Sequence, residues 1–203
     1  MAGVSFAQQN STMSNSSSTN MMIGREKKSV FDRMNQKGAE AVSAVKPTSA
    51  KLSSADQDLM MQVAKGGMMQ LEVSKIAAQN ASSDEVKQLA QAEVEEQTGL
   101  SAKLQEIASA KGITLPSSPD AETQAMVTKM QGMSGADFDK MYVQESGVRG
   151  HEKLDAVMSQ VKSNASDKSL KDVAQAAHPL VKTHLKVSKE IMNKMGGSNM
   201  GSR

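Results

Sequence analysis

Two side chains that can bind a metal ion, Glu145 and His151, lie within one largely apolar segment, residues 138–161. Apolar residues recur there at steps of three and four, which is typical of a helix that buries one face. Two further segments with the same spacing carry Glu93 and His184 on their apolar faces. Imidazole and carboxylate are ligands for zinc, iron, copper or manganese. His151 and His184, with Glu93 or Glu145 as a third ligand, are therefore a candidate site for one metal ion.

The positions of the histidines do not support a carboxylate-bridged di-iron centre. Such centres in helix bundles use Glu-x-x-His pairs, because residues three positions apart share one face of a helix. The chain has three histidines, and the residues three positions before them are Val148, Gln175 and Val181. The sequence therefore contains no Glu-x-x-His pair.

Two glutamines on the apolar faces, Gln70 and Gln97, allow a structural alternative to the metal site. Amides and imidazoles in a core can hydrogen-bond to one another, which fixes the register of packed helices at some cost in stability. On the residues alone we favour this alternative, which needs no cofactor. In either case we expect Gln70 and Gln97 to be polar residues of the core.

The sequence lacks the signatures of common catalytic sites. It has no cysteine, which excludes thiolate nucleophiles, disulfides and iron–sulfur clusters. It also has no Gly-x-Ser-x-Gly elbow, no phosphate-binding glycine loop and no dinucleotide fingerprint. The leading hypothesis is a non-enzymatic binding module, associated with the cell envelope or with stress. The alternative is a metal-binding protein for storage or redox chemistry.

Composition favours helices and excludes some partners. Among 203 residues, 17 are Met and only 2% are aromatic, whereas β-sheets prefer branched and aromatic side chains. The formal net charge is +2, with acids and bases interspersed, so we expect no nucleic-acid partner. No apolar run reaches the length of about 18 residues that spans a bilayer, so no transmembrane segment is predicted.

Residues 1–24 are predicted to be the remnant of a signal peptide followed by a disordered linker. Ser5 and Ala7 are small residues at the positions that precede a cleavage site before Gln8. Residues 8–24 consist mostly of Ser, Asn, Thr, Gln and Met, and they bury too little apolar surface to offset chain entropy. We therefore expect an exported protein.

Residues 25–52 are predicted to form a weak amphipathic helix and a linker. An apolar stripe passes through Phe31, Met34 and Val45 before Pro47 ends it. The segment is basic at its start, so it could dock on the remaining helices, bind a partner or lie on a lipid surface in peripheral association with the envelope. We expect a loose amphipathic tail.

Residues 53–196 are predicted to form an antiparallel four-helix bundle, which makes the fold class all-α. Helix-spaced apolar stripes predict four long helices, over about 54–79, 84–111, 135–163 and 167–195, and a short one over about 119–131. Short links join the first long helix to the second and the third to the fourth, so each pair is antiparallel. Residues 197–203 are predicted to be a flexible tail.

Four segments together carry a resemblance to a known family: GGMMQLEVSKIAAQNASSDEVKQLAQ, EEQTGLSAKLQEIASAKGITLP, SGADFDKMYVQESGVRGHEKL and AAHPLVKTHL. Over about residues 53–195 the chain resembles the bacterial family called domain of unknown function 4142. The resemblance implies a ferritin-like four-helix bundle in a protein exported to the periplasm or outer membrane. It implies no activity, because none is established for the family.

The resemblance also implies a set of site residues. The family pattern has a Glu on the first helix, a His after an acid on the second, and one His on each of the last two. The corresponding positions in this chain are Gln70, Gln97 after Glu96, His151 and His184. Amides thus replace two strong metal ligands, so the resemblance implies a weakened site, for which Glu93 would compensate.

Overall fold

The structure, a computed structural model, describes residues 21–197, which form helices joined by short loops and one two-residue β-ladder. The helices are α1 (Lys28–Ser43), α2 (Ser54–Asn80), α3 (Asp84–Ala110), α4 (Ala121–Gln131), α5 (Gly135–Tyr142), α6 (His151–Asn164) and α7 (Lys168–Gly197). The predicted all-α class is thereby confirmed. The predicted signal remnant, most of the predicted disordered linker and residues 198–203 of the predicted tail lie outside the described residues.

A short hairpin precedes α1. Strand β1 (Met22–Ile23) pairs antiparallel with β2 (Glu26–Lys27). Gly24 lies in the turn with φ of 63°, in the left-handed region that glycine adopts without a steric penalty. Its amide donates a hydrogen bond to Glu85 Oε1 at 2.6 Å, which ties the hairpin to the start of α3.

Helix α1 docks on α3 and α7 and is not a loose tail. Its apolar residues Phe31 and Val42 are buried. Gly38 lets the helix approach α7 closely, because a Cβ atom at this position would lie only 2.7 Å from the Leu180 side chain. Of the alternatives for this segment, the structure shows docking on the remaining helices.

The third predicted long helix contains a change of helix type. Helices α5 and α6 are joined by a π-helical segment, Val143–Gly150, in which each turn is wider than in an α-helix. Two glycines let this segment pack closely on its neighbours. A Cβ atom on Gly147 would lie 2.7 Å from Ser188 on α7, and one on Gly150 would lie 2.6 Å from Gln70 on α2. A larger residue at either position would displace the Ser188 or Gln70 side chain.

Two apolar clusters fill the interior, and a band of polar residues separates them. On α7, Val181 belongs to one cluster and Val187 to the other, while His184 lies between them. On α3, Leu89 and Leu100 flank the polar residues in the same way. We call the band the polar belt, and its residues are Gln70, Glu93, Glu96, Gln97, His151 and His184.

The long helices are amphipathic, with charged residues on their exposed faces. Helix α7, the longest, buries His184 and a stripe of apolar residues while most of its lysines remain exposed. Within residues 21–197, no helix combines the length and the apolar composition needed to cross a membrane.

Candidate metal centre

Four buried side chains converge within the polar belt. Glu93 and Glu96 come from α3, His151 from α6 and His184 from α7. Each offers one ligand atom, and these four atoms all lie within 4.8 Å of one another. Glu96 is 6% exposed, and the other three residues are 0% exposed. We call this group the Glu–His cluster.

Helix geometry explains how these side chains meet. Glu93 and Glu96 are three residues apart, so they project from the same face of α3. His184 lies on the inward stripe of α7, between the two apolar clusters. His151 is the first residue of α6, directly after the π-helical segment. Segments of this type are often found at functional sites.

The carboxylate oxygens and ring nitrogens of the cluster are close together, yet they are not hydrogen-bonded. Glu93 Oε1 lies 2.9 Å from His151 Nε2 and 2.9 Å from His184 Nδ1. Glu96 Oε2 lies 2.6 Å from the same His184 nitrogen. None of these pairs has the alignment of a hydrogen bond, and within residues 21–197 these buried atoms have no other hydrogen-bond partner. Such atoms are available to a ligand placed between them.

The charges of the cluster depend on one another. Burial alone would raise the pKa of the Glu93 carboxyl, but the His151 and His184 rings outweigh it and lower that pKa to about 2. Burial alone would lower the pKa of His184, but Glu93 and Glu96 outweigh it and raise that pKa to about 10. Burial alone would also lower the pKa of His151, but Glu93 outweighs it and raises that pKa. Without a metal, protonated rings thus compensate the buried carboxylate charge.

Gln70 contacts the side of the His151 ring that faces away from the cluster. Its Nε2 lies 2.9 Å from His151 Nδ1 and donates to the Ser146 carbonyl oxygen at 3.0 Å. The Ser146 hydroxyl donates to Gln70 Oε1 at 2.5 Å, and the Ser146 carbonyl oxygen also lies 3.1 Å from His151 Nδ1. These contacts hold the ring with Nε2 directed at Glu93, as partners of a metal-binding histidine do.

Helix α1 contacts the outer side of the His184 ring. Asn35 Oδ1 lies 2.5 Å from His184 Nε2. The Phe31 ring packs beside the imidazole, with ring centroids 5.3 Å apart. His184 therefore faces α1 with one ring nitrogen and the two carboxylates with the other.

The structure brings together three of the four metal ligands predicted from the sequence. Glu93, His151 and His184 all belong to the Glu–His cluster. Glu145 lies outside it, because it is only partly buried and accepts a hydrogen bond from Arg149 at 2.8 Å. Glu96, which sequence analysis did not propose as a ligand, completes the cluster. Its spacing of three residues after Glu93 was the signal for this role.

Two other polar candidates have different surroundings. Gln97 is buried in the polar belt beside Gly67, and neither its Oε1 nor its Nε2 has a hydrogen-bond partner in the described part of the chain. His178 is buried elsewhere on α7, where its Nε2 lies 2.7 Å from Asp155 Oδ1. The third histidine of the chain therefore pairs with Asp155 and lies outside the Glu–His cluster.

The fold and the cluster define a helical protein with a buried carboxylate–imidazole centre. The family model described as Domain of unknown function (DUF4142) matches residues 41–191. The chain therefore belongs to this family, which confirms the resemblance inferred from its sequence. The matched range contains the whole Glu–His cluster but leaves out most of α1. No significant match to the chain was found among curated proteins or among solved structures.

Proposed function

We propose that the protein binds one transition-metal ion in the Glu–His cluster. The ligands are Glu93, Glu96, His151 and His184. The observation that carries the proposal is the set of buried carboxylate oxygens and ring nitrogens without hydrogen-bond partners. Buried polar atoms without such partners are rare in native proteins, and here only the charge of the protonated rings offsets the cost of burying them. A cation bound between them would compensate this cost.

The donor atoms suit a divalent ion of the first transition series. Two imidazoles with two carboxylates are typical ligands of zinc, iron, copper or manganese, whereas calcium and magnesium prefer oxygen ligands alone. In a tetrahedral zinc site, neighbouring ligand atoms lie about 3.3 Å apart. The three Glu–His contacts of 2.6 and 2.9 Å are slightly shorter than this distance and would lengthen by about half an ångström, and all four ligand atoms already lie within 4.8 Å of one another.

Charge balance supports the same proposal. An uncompensated charge in a protein interior is costly, and in the metal-free protein the protonated rings offset it. The lowered pKa of Glu93 and the raised pKa of His184 express this compensation. A divalent cation supplies the same compensation, and it would displace the protons so that neutral imidazoles bind it.

We infer that the ion is stored or stabilises the fold. Four protein ligands fill a tetrahedral coordination shell, whereas catalytic zinc sites keep one position for water or substrate. This inference joins the two hypotheses from the sequence, a non-enzymatic protein and a metal-binding one. Storage and stabilisation both require binding of the ion without turnover of a substrate.

We also propose that the fold is an antiparallel, ferritin-like four-helix bundle. Helices α2, α3, α6 and α7 support this, since α2 and α7 each contact both α3 and α6. In such bundles, side chains from facing helices bind metals in the core. A crystal structure in which these helices fail to share one core would contradict the proposal.

Export to the bacterial periplasm or outer membrane is a separate proposal. It is supported by Ser5 and Ala7 before Gln8 and by the family resemblance. Sequencing of the protein from the cell envelope should give a mature chain that begins at Gln8. A chain found in the cytoplasm with Met1 or Ala2 at its start would contradict export.

Peripheral association with the envelope through residues 25–45 is tested by liposome binding. Phe31 and Val42 are buried against the other helices, so lipid contact through them requires α1 to undock. Binding that is lost on deletion of residues 25–45 would support association. Equal binding by the truncated protein would count against it.

The metal proposal is tested by titrating metal-free protein with zinc, iron(II), copper(II) or manganese(II). Glu93→Gln removes a buried ligand, and Asp84→Asn is the matched control, the same carboxylate-to-amide change at an exposed position of the same helix. We expect one ion per chain in the native protein and in the control. Affinity in Glu93→Gln should fall by more than the roughly 10- to 100-fold typical of losing a group that only orients a ligand. A native protein that binds none of these ions would overturn the proposal.

A further inference from the structure

Helix α1 reaches the metal centre from outside the range that defines the family. The family model begins at residue 41, whereas Asn35 lies in the middle of α1. Its Oδ1 is 2.5 Å from His184 Nε2, across 149 positions of sequence. The centre therefore includes a contact that the matched segment does not supply.

This contact determines which nitrogen of His184 can bind a metal. A neutral imidazole carries its proton on one nitrogen and a lone pair on the other. When Nε2 donates its proton to Asn35 Oδ1, the lone pair is on Nδ1. Nδ1 is the atom that lies 2.9 Å from Glu93 and 2.6 Å from Glu96.

Contacts at both ends of α1 hold Asn35 in place. Before the helix, the Arg25 amide donates to Glu190 Oε2 at 2.7 Å. After it, Lys103 Nζ donates to the Val45 carbonyl oxygen at 3.0 Å. Between these two points, Phe31 is buried against the His184 ring. The docked helix thus presents the amide oxygen to the ring in a fixed position.

We propose that Asn35 is a positioning residue for His184, and that α1 is therefore a working part of the metal centre. This inference rests on the proposed function, since Asn35 acts on the metal only through the ring. Its chemical role is to accept the Nε2 proton. Any side chain that accepts at this position should preserve it.

The test compares Asn35→Ala with Asn35→Asp, and Arg33→Ala is the control because Arg33 is exposed on the same helix. Removal of an outer partner of a metal-bound histidine typically weakens metal binding by about 10- to 100-fold. We expect this loss in Asn35→Ala. Asn35→Asp should bind at least as tightly as the native protein, and Arg33→Ala should be unchanged. The visible absorption spectrum of bound cobalt(II) should change in Asn35→Ala and return to its native form in Asn35→Asp.

The possible outcomes separate this inference from the proposed function. If the native protein binds no ion, the proposed function fails. If it binds and Asn35→Ala binds equally well with an unchanged cobalt spectrum, the role of Asn35 alone is overturned. Weak binding by Asn35→Asp also overturns it, and this result decides the question even if Asn35→Ala does not fold.

A cavity beside the cluster carries a second inference, which also rests on the proposed function. It has a volume of about 420 Å³ and lies between α1 and α3. Its lining includes Glu96 and Asn35, which belong to the metal centre, and Gln91 and Glu95, which are exposed to solvent. The Glu96 carboxylate is buried and, in the described part of the chain, has no hydrogen-bond partner. We infer that the cation reaches the centre through this cavity and meets Glu96 first.

Blocking the cavity tests this route. Ala39 is exposed and lines the cavity, whereas Ala41, two residues later on α1, is exposed and lines other surface cavities. We expect Ala39→Phe to slow zinc uptake, and zinc removal by a chelator, by the same several-fold factor while the dissociation constant stays constant. Ala41→Phe should leave both rates unchanged. Native rates in Ala39→Phe, or equal slowing in both variants, would overturn the route.

Discussion

Two groups of buried charged side chains differ in their hydrogen bonding. The first is the Glu–His cluster, whose oxygens and inner ring nitrogens have no hydrogen-bond partner among the residues that the structure describes. The second lies where α7 begins, and we call it the Asp network; its residues are Thr48, Asp56, Lys111, Ser166, Asp167 and Ser169. Asp56 accepts from the Ser166 amide at 2.9 Å and from the Asp167 amide at 3.1 Å. Asp167 accepts from Lys111 Nζ at 2.6 Å.

The difference indicates separate roles for the two groups. The carboxylates of the Asp network accept hydrogen bonds from backbone amides, from the hydroxyls of Thr48, Ser166 and Ser169, and from the Lys111 ammonium, so the fold itself accounts for these charges. The carboxylates of the Glu–His cluster accept no backbone hydrogen bond within residues 21–197, and they face the rings of His151 and His184. Buried carboxylates that only the neighbouring rings compensate, without aligned hydrogen bonds, leave room for a bound cation in the same place.

The largest expected effect concerns the Asp network. Lys111→Met should destabilise the protein by about 3–5 kcal/mol, because it leaves Asp167 buried without its cation. Urea unfolding measures this loss, and the affinity for zinc should stay at the native value. Lys75→Met breaks an exposed pair with Glu72 and should cost no more than about 1 kcal/mol. Equal losses in the two variants would mean that burial of the Lys111 pair contributes nothing.

A smaller effect is expected from replacing Gln70, and replacing Gln97, the other amide of the polar belt, is the comparison. Gln70→Leu removes the contacts that orient His151 and should weaken zinc binding by about 10-fold or more. Gln97→Leu removes an amide that has no hydrogen-bond partner, so affinity should be unchanged and stability equal or higher. Competition with a chelator measures both affinities. Equal weakening by the two variants would contradict a specific role for Gln70.

A more gradual effect is expected from pH. Burial alone would raise the pKa of Asp56, but hydrogen bonds from Ser166 and Asp167 outweigh it and lower the pKa below the ordinary value of 3.8. The stability from these bonds is present above that value and is lost as pH falls through the pKa of the folded state. Urea unfolding of native protein and of Asp56→Asn between about pH 5 and pH 2 should show a steeper loss in the native protein. Parallel curves would contradict this role of Asp56.

The smallest effect is expected at Glu145, the residue predicted from the sequence as a possible ligand. Since its carboxylate pairs with Arg149, Glu145→Gln should leave zinc affinity and stoichiometry at the native values. Isothermal titration calorimetry is sufficient to check this. A clear loss of affinity would mean that Glu145 reaches the ion after all.

Helical spacing made the helices and the polar belt predictable from the sequence. Apolar stripes with a period near 3.6 predict the α2 and α3 boundaries to within about one residue. The same stripes place His151, His184 and Glu93 on inward faces. Glu96 could have been found by the same rule, because it lies three residues after Glu93 and close to the same stripe.

Other features depend on contacts that a stripe does not encode. The π-helical segment changes the angle between Glu145 and His151, so α-helical spacing could not locate Glu145. The docking of α1 depends on long-range partners, including Glu190 and Lys103, that local propensity does not reveal. The approach of Asn35 to His184 follows from that docking and was equally hidden.

The most direct test of the metal centre is X-ray diffraction from zinc-soaked crystals, recorded at the zinc absorption edge. The Glu–His cluster should enclose one anomalous peak, bonded to an oxygen of Glu93 and of Glu96, to His151 Nε2 and to His184 Nδ1. Zinc found only at surface positions, with the three Glu–His contacts of the cluster still at 2.6–2.9 Å, would contradict the account.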